Sequence, residues 1–445
     1  MFLPDNDKVK KGATTTDSCA PRTSARGVHY KRFEQVVTHL LAHDLKPSFV
    51  EIPPRPHADW PWNELPPSLR DTITGKRAER KQQQLQSIMQ CFVAMLPSTS
   101  KSYKIVDFGG GTGHLALPLA LLLPNCQVTV VDLKSASLRL VHEKASQVMG
   151  LPVDFDNNFA YPKGVQVTQH DHVKRPCRGI PNLFTFHGSM ESFEEEFDVG
   201  VSLHACGEAS DIVLRVCGSA KALIVAPCCV GKLNPGRKDP YIYHATAYNA
   251  PTIQYPQSTQ FCQYINSQED WNHLAKAADY SDWDEMRSAR NATRRTAKAL
   301  LELDRMLYLQ ESFGFCTALT RMDPWEASPK HDVILAWKSD EWSPFVTKGA
   351  IFDDACNADI RLAHEFLLHS DEFVEDSSEW TLEEVESIRT ALQDFVESEL
   401  VSYTFSTRMG GRKRKLIHCL AEQLGLLHWG LGKQDGSKTV VVAKH

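Results

Sequence analysis

The chain has 445 residues, of which 42% are hydrophobic, enough to bury a large core and to form two or three units. Its formal net charge of −6 excludes a globally basic protein, so any nucleic-acid contact has to come from local patches. The longest apolar run, Leu115 to Leu123, is far too short to cross a bilayer, and MFLPDNDKVKK has no apolar leader stretch. Twelve cysteines are scattered without a paired CxxC set, which points to reduced thiols in cytoplasm or nucleus and not to a secreted protein.

Residues 1–30 are polar, basic and rich in Thr and Ser, the composition of a disordered tail. A helical N-terminal segment, 31–95, follows. Apolar residues recur at helical spacing over 31–46 (Phe33, Val36, Val37, Leu40, Leu41) and again over 80–96. Between them, EIPPRPHADWPWNELPPS is expected to be extended and irregular. Its Trp60 and Trp62 either offer a stacking surface for a base or pack the connection against the domain.

Tyr103 to Leu133, YKIVDFGGGTGHLALPLALLLPNCQVTVVDL, carries the most information. It reads as a buried strand, a glycine turn, an apolar helix and a second strand closing on Asp132. The glycines fall at Gly109, Gly111 and Gly113, with Asp107 two residues before the first. Glycine lets the backbone turn sharply and approach a ligand closely, and the helix start adds free N–H donors. A dinucleotide fingerprint would want glycine three residues after Gly111, where His114 stands, and the Gly-Lys-Ser/Thr of a phosphate-cradling loop is absent.

Ser135 to Met149 reads as a helix, and 150–181 is longer than an ordinary connection, hence an insertion. Strands are expected at 182–187, 197–204 and 222–226, then a helix over 290–312 and a closing strand pair at 315–321 and 332–337. This alternation predicts a doubly wound α/β sheet over 96–340. A Tyr- and Gln-rich excursion at 233–285 interrupts it as a lid or substrate loop. Ligands of such sheets bind outside the carboxyl ends of the strands. There the third strand is followed by His187-Gly188-Ser189-Met190-Glu191, the fourth by His204, Cys206 and Asp211, and the fifth by Cys228 and Cys229.

Three roles stay open for the cysteines. They are covalent addition of a thiolate to a pyrimidine, soft-metal ligation together with His204, or small apolar packing on the cleft floor. The packing or substrate-positioning reading is preferred, with no metal assigned. A hydroxyl nucleophile would need a base, for which His204 stands first and Asp211 second.

A linker, 341–380, is polar and acidic near Ser370 to Glu379 and leads to a module at 381–445. Leu382 to Leu400 has amphipathic spacing. A basic cluster follows (Arg412, Lys413, Arg414, Lys415), then an apolar helix, a glycine-rich turn and a valine-rich strand. Arg414 and His418 lie one helical turn apart on one face. Such a cluster can be a solvated face or a localisation patch. At a helix start, though, cations gain nothing from the dipole, which favours phosphate contact.

The acid followed by Gly-x-Gly-x-Gly resembles the first motif of S-adenosylmethionine-dependent methyltransferases. That resemblance implies a seven-stranded-type sheet and S-adenosyl-L-methionine as cofactor. It places Asp107 near the methionine part, Asp132 on the ribose, and Ser189 and Met190 against the adenine. The SLHACGEASD and APCC segments resemble one branch of these enzymes. It contains a tRNA 2′-O-methyltransferase, methyltransferase-like proteins and glutathione S-transferase C-terminal-domain-containing protein. Leu203 and Val230 stand where the tRNA enzyme has a lysine and a histidine.

The C-terminal module resembles the small Arg-x-x-x-His domain, which implies single-stranded RNA or DNA as partner through Arg412, Lys413, Arg414, Lys415 and His418. Together these resemblances imply a methyltransferase acting on RNA, either tRNA or rRNA, with no membrane partner. The alternatives are a protein methyltransferase recruited to ribonucleoprotein and a non-enzymatic RNA-binding protein with a vestigial cofactor fold.

Overall fold

The computed structural model describes residues 25–52, 76–151, 173–203, 205–230, 233, 253–265, 267–279, 289–324, 327–345, 351–352, 357, 360, 382–398, 400–405, 416–417, 420–421, 424, 426–432 and 438–444. Residues 1–24 of the expected tail, Trp60, Trp62, His204, all of 234–252 and the basic cluster with His418 lie outside them.

Helix α1 (Ala25–Ala42) starts six residues before the expected boundary; Gly27 is unfavourable there but no proline interrupts the stretch. After β1 (Val50–Glu51), α2 (Lys76–Met95) buries Leu85, Ile88, Met89, Phe92 and Met95, one stripe at helical spacing. Then come β2 (Lys104–Phe108), α3 (Ala116–Leu122), β3 (Gln127–Asp132), α4 (Ser135–Val148), β4 (Val173–Pro176) and β5 (Leu183–His187). They are followed by β6 (Val199–Leu203), α5 (Glu208–Val216), β7 (Ala222–Ala226), α6 (Thr259–Cys262), α7 (Gln268–Ala278) and α8 (Ala289–Phe313). The domain closes with β8 (Cys316–Arg321), β9 (Asp332–Trp337) and β10 (Ile351–Phe352), the last pairing with β1.

The eight-stranded sheet runs β4-β5-β3-β2-β6-β7-β9-β8. Strands β5, β3, β2, β6 and β7 are parallel, and β9 is antiparallel to β7 and β8. All seven expected strands are present. The eighth, β4, comes from the insertion and caps the edge antiparallel to β5. Alternating residues feed two cores. Ile105, Val128, Val130, Val201 and Ile224 pack with α2, α3 and α4, while Val106, Val131, Leu223 and Val225 pack with α1, α5, α7 and α8. The chain winds outward from β2 through β3 to β5, then returns to β6 and β7. This sets the switch point between β2 and β6.

The 233–285 excursion is not irregular throughout. Phe261, Trp271, Leu274, Ala275 and Ala278 are buried in the α1–α8 core. The 3–4 spacing of Trp271, Leu274, Ala275 and Ala278 along α7 is a helical signal hidden among its Gln, Asp and Asn residues. Toward the C-terminus, α9 (Leu382–Glu397) packs on an antiparallel sheet ordered β11 (Ser402–Thr404), β13 (Lys438–Ala443) and β12 (Leu427–Gly432). Ile388, Leu392, Phe395, Ile417, Leu420, Val440 and Val442 form its core, joined by Ala292 of α8. Among the described residues no helix is long and apolar enough to cross a membrane.

Candidate active site

The first half of the cleft is made of backbone. Gly109 N–H extends the β2–β3 pairing by donating to the Val131 carbonyl at 2.8 Å, and Gly113 N–H closes the turn on the Gly110 carbonyl at 3.0 Å. Gly109, Gly111 and Gly113 have φ of +68°, +57° and +74°, the left-handed region that penalises any Cβ. A Cβ at Gly113 would press Val141 at 3.1 Å, so that position packs the turn against α4. One at Gly111 would meet only the Gly109 carbonyl at 4.0 Å, so this part of the turn faces open space.

Asp132 clasps the turn from the end of β3. Its Oδ2 accepts from Gly111 N–H at 3.0 Å and its Oδ1 from Lys134 N–H at 2.7 Å. Each carboxylate oxygen keeps a second lone pair for a ligand. Burial pushes this carboxyl up, against the pull of those two N–H groups. Lys144, which the sequence did not single out, braces the turn through the Thr112 carbonyl (3.1 Å) and hydroxyl (3.0 Å). Burial lowers its ammonium to about 8.

Asp107 lies beneath the turn, 1% exposed, and its Oδ2 has no hydrogen-bond partner. Burial is the main cause that pushes this carboxyl up to about 7; Lys81 pulls it down and Asp132 adds to the rise. Gly110 was not singled out either, yet a Cβ there would fall 2.5 Å from Asp107 Oδ2. A buried carboxylate oxygen left without a donor is an exception among buried polar groups, and this one lies at the edge of an open turn. Met190, after β5, lies over Gly109, whose added Cβ would stand 3.2 Å from the Met190 methyl. Ser189 is buried and caps the next turn, its Oγ accepting from Ser192 N–H at 3.1 Å.

The second half is made of side chains. Leu203 of β6 and Ala226 of β7 are register partners, so the loops after them leave the sheet side by side. A hydrogen bond from Gly207 N–H to the Cys229 carbonyl (2.7 Å) ties the loops together. Cys206 and Cys228 bring their Sγ atoms to 3.2 Å, and with Cys229 all three sulfurs lie within 4.8 Å of one another. The neighbouring Cys206 and Cys229 thiols, then burial, push the Cys228 thiol up, which disfavours a free thiolate there. Lys330 reaches to 4.0 Å from Cys229 Sγ and pairs with Asp279.

Asp211 is a correction to the sequence reading. It is fully buried and accepts from Arg305 Nε (2.7 Å) and Nη2 (2.9 Å), Tyr255 Oη (2.8 Å) and Gln257 Nε2 (2.7 Å). A carboxylate with four donors on its two oxygens is a structural anchor. From it a buried chain of charges runs through Arg305 to Glu302 (3.0 Å), Lys298 (2.6 Å) and Asp332 (3.1 Å). Nearby, Asp304 holds the N–H groups of Gln257 and Ser258, both at 2.9 Å. Burial raises its carboxyl to about 6 despite those bonds. These contacts seat α6 and the strands' carboxyl ends on α8.

Residues 80–236 match a family model described as a methyltransferase domain. The relatives found include the glutathione S-transferase C-terminal domain-containing protein homolog of Drosophila melanogaster, 30% identical over 62% of this chain and 40% of that one. The Homo sapiens protein of that name is 27% identical over 64% and 38%. The chain thus spans about two fifths of the length of the curated relatives it matches. Among solved structures, magnesium protoporphyrin IX methyltransferase from Synechocystis, with bound SAH, covers 61% of this chain and is itself covered to 91%. It is 13% identical, with a TM-score of 0.32. The stretch that matches the methyltransferase-domain model, residues 80–236, holds the glycine turn, Asp132 and the thiol-bearing loops described above.

Proposed function

We propose that the chain is an S-adenosylmethionine-dependent methyltransferase acting on RNA. The observation that carries the reading is the clasp of Asp132 on the Gly111 N–H beside an open glycine turn, with the unpartnered Asp107 oxygen below it. In this reading Asp132 accepts from the ribose hydroxyls, and Asp107 answers the positive charge of the methionine part. Met190 adds an apolar contact next to Gly109. When bound, the cofactor supplies a methyl group already activated on a sulfonium, so the protein's task is alignment.

The acceptor side is assigned to the loops after β6 and β7. Cys206, Cys228, Cys229 and Lys330 converge there, and His204 stands two residues before Cys206 in sequence. RNA as acceptor rests on the sequence of the C-terminal module, which would hold single strands near the cleft through Arg414 and His418. A tethered binding module raises the local concentration of its strand.

The test is transfer of labelled methyl from S-adenosylmethionine to RNA from cells lacking the protein, with nucleoside mass spectrometry identifying the product. Asp132→Ala should raise the KM for S-adenosylmethionine by roughly ten- to a hundred-fold. Deleting residues 381–445 should leave cofactor affinity intact but raise KM for long RNA. Labelled protein with unlabelled RNA would move the assignment to a protein acceptor.

A further inference from the structure

We propose that Cys206, Cys228 and Cys229 form a binding site for a soft divalent cation, zinc, at the carboxyl ends of β6 and β7. The proposal rests on side-chain placement and is independent of the cofactor reading.

Three thiols from two neighbouring strand ends have their sulfurs within 4.8 Å of one another. Tetrahedral Zn–S bonds of about 2.3 Å set ligand sulfurs about 3.8 Å apart, so the cluster needs only a small adjustment to close on an ion. The closest pair, at 3.2 Å, is well outside bonding distance for a disulfide. Positions of all three are held by the sheet. Leu203 and Ala226 are register partners, and the 2.7 Å bond from Gly207 N–H to the Cys229 carbonyl fixes one loop on the other.

Thiolate sulfur is the donor that selects zinc over hard cations. Three thiolates on zinc carry one net negative charge, and Lys330 sits beside Cys229 to meet it, steadied by Asp279. Among the described residues no further ligand side chain joins the cluster; His204, two residues before Cys206 in sequence, lies outside them. Binding replaces one proton per thiol with the metal, so affinity falls as pH is lowered.

The experiment uses the full-length chain, purified in reductant without chelator and analysed for metals. A chelated and cobalt(II)-refilled sample then reports thiolate ligation through its sulfur-to-metal charge-transfer absorption. The expected result is one metal per chain, lost in C206S and in the C228S/C229S double variant. It should be retained in C91S, whose buried thiol is not part of the cluster. Circular dichroism shows that the variants fold, and C206S, at an exposed position, perturbs packing least.

Reduced protein that takes up no stoichiometric zinc overturns the proposal, as does equal metal content in parent and cluster variants. Formation of a Cys206–Cys228 disulfide at the same rate with and without zinc does so too. Cofactor binding measured on the same samples separates failure of this site from failure of the methyltransferase reading.

Discussion

The two halves of the cleft are built from different materials. Around β2 and β3 the working groups are main-chain N–H donors, three left-handed glycines and one carboxylate reaching 21 residues along the chain. Around β6 and β7 they are thiols, resting on a buried chain of charges whose pairs span up to 94 residues. The backbone half tolerates surface change but no Cβ. The side-chain half tolerates local change but no loss of one charge, because an ion left unpaired in the interior keeps its full desolvation cost.

The largest effect should come from the side-chain half. Arg305→Met removes the one ion pair of Asp211 and one of the two ion pairs of Glu302 among the described residues, and should destabilise the chain by about 3–5 kcal/mol. Adding Asp211→Asn should recover part of that loss, since the unpaired carboxylate is then removed. Urea unfolding of both variants measures it. Equal stability of Arg305→Met and parent would show the ladder to be dispensable.

Within the backbone half, the glycines should separate by role. Gly110→Ala drives a Cβ into Asp107 and should cost about 1–3 kcal/mol of stability. Gly113→Ala presses Val141 and adds left-handed strain, of similar size. Gly111→Val points into open space, so its cost in stability is left-handed strain alone, about 1–2 kcal/mol, while cofactor binding is lost. Thermal unfolding beside ligand titration distinguishes the three. Retained binding in Gly111→Val would mean that the open side of the turn is not where the ligand lies.

Asp107 gives the cleft a pH signature. Its folded value near 7 lies above the ordinary 3.8, so the folded chain holds a proton that the unfolded chain releases. Its contribution to stability therefore declines as pH rises from about 4 to 7, and is constant above. A cationic ligand prefers the carboxylate and must expel that proton at lower pH. Affinity for S-adenosylhomocysteine, which keeps the ammonium, should climb by up to about tenfold per unit toward pH 7 and then level. In Asp107→Asn the profile should be flat. A parent profile as flat as the variant's would remove Asp107 from the ligand's surroundings.

The smallest effect belongs to the C-terminal module. Replacing Arg414 and Lys415 should flatten the salt dependence of single-stranded RNA binding by roughly one to two units, at about 0.7 per phosphate contact. Anisotropy across a salt series reads this directly. An unchanged slope would leave the cluster as a solvated face or a localisation patch.

The contrast also explains what could be read in advance. Strand–turn–helix patterning exposed the sheet, because apolar residues alternating over β2, β3, β6, β7 and β9 feed two cores at once. Gly109, Gly111, Gly113 and Asp132 were legible because the turn requires them within 24 residues. Gly110 escaped because its constraint is the volume of Asp107 and not its own φ. The cage around Asp211 was illegible for another reason. Tyr255, Gln257 and Arg305 lie 44 to 94 residues away and meet it only once α8 is packed. Helix α7 hid behind polar composition, and β4 behind an apparent insertion.

The central claim is that a clasped glycine turn binds the cofactor, and calorimetric titration of the full-length chain with S-adenosylmethionine tests it most directly. A charge-assisted hydrogen bond contributes about 1.5–3 kcal/mol, so Asp132→Ala should weaken binding by roughly ten- to a hundred-fold. Gly111→Val should abolish the heat altogether. Both variants titrating with the parent's affinity, or a folded parent giving no heat at any concentration reached, would contradict the account.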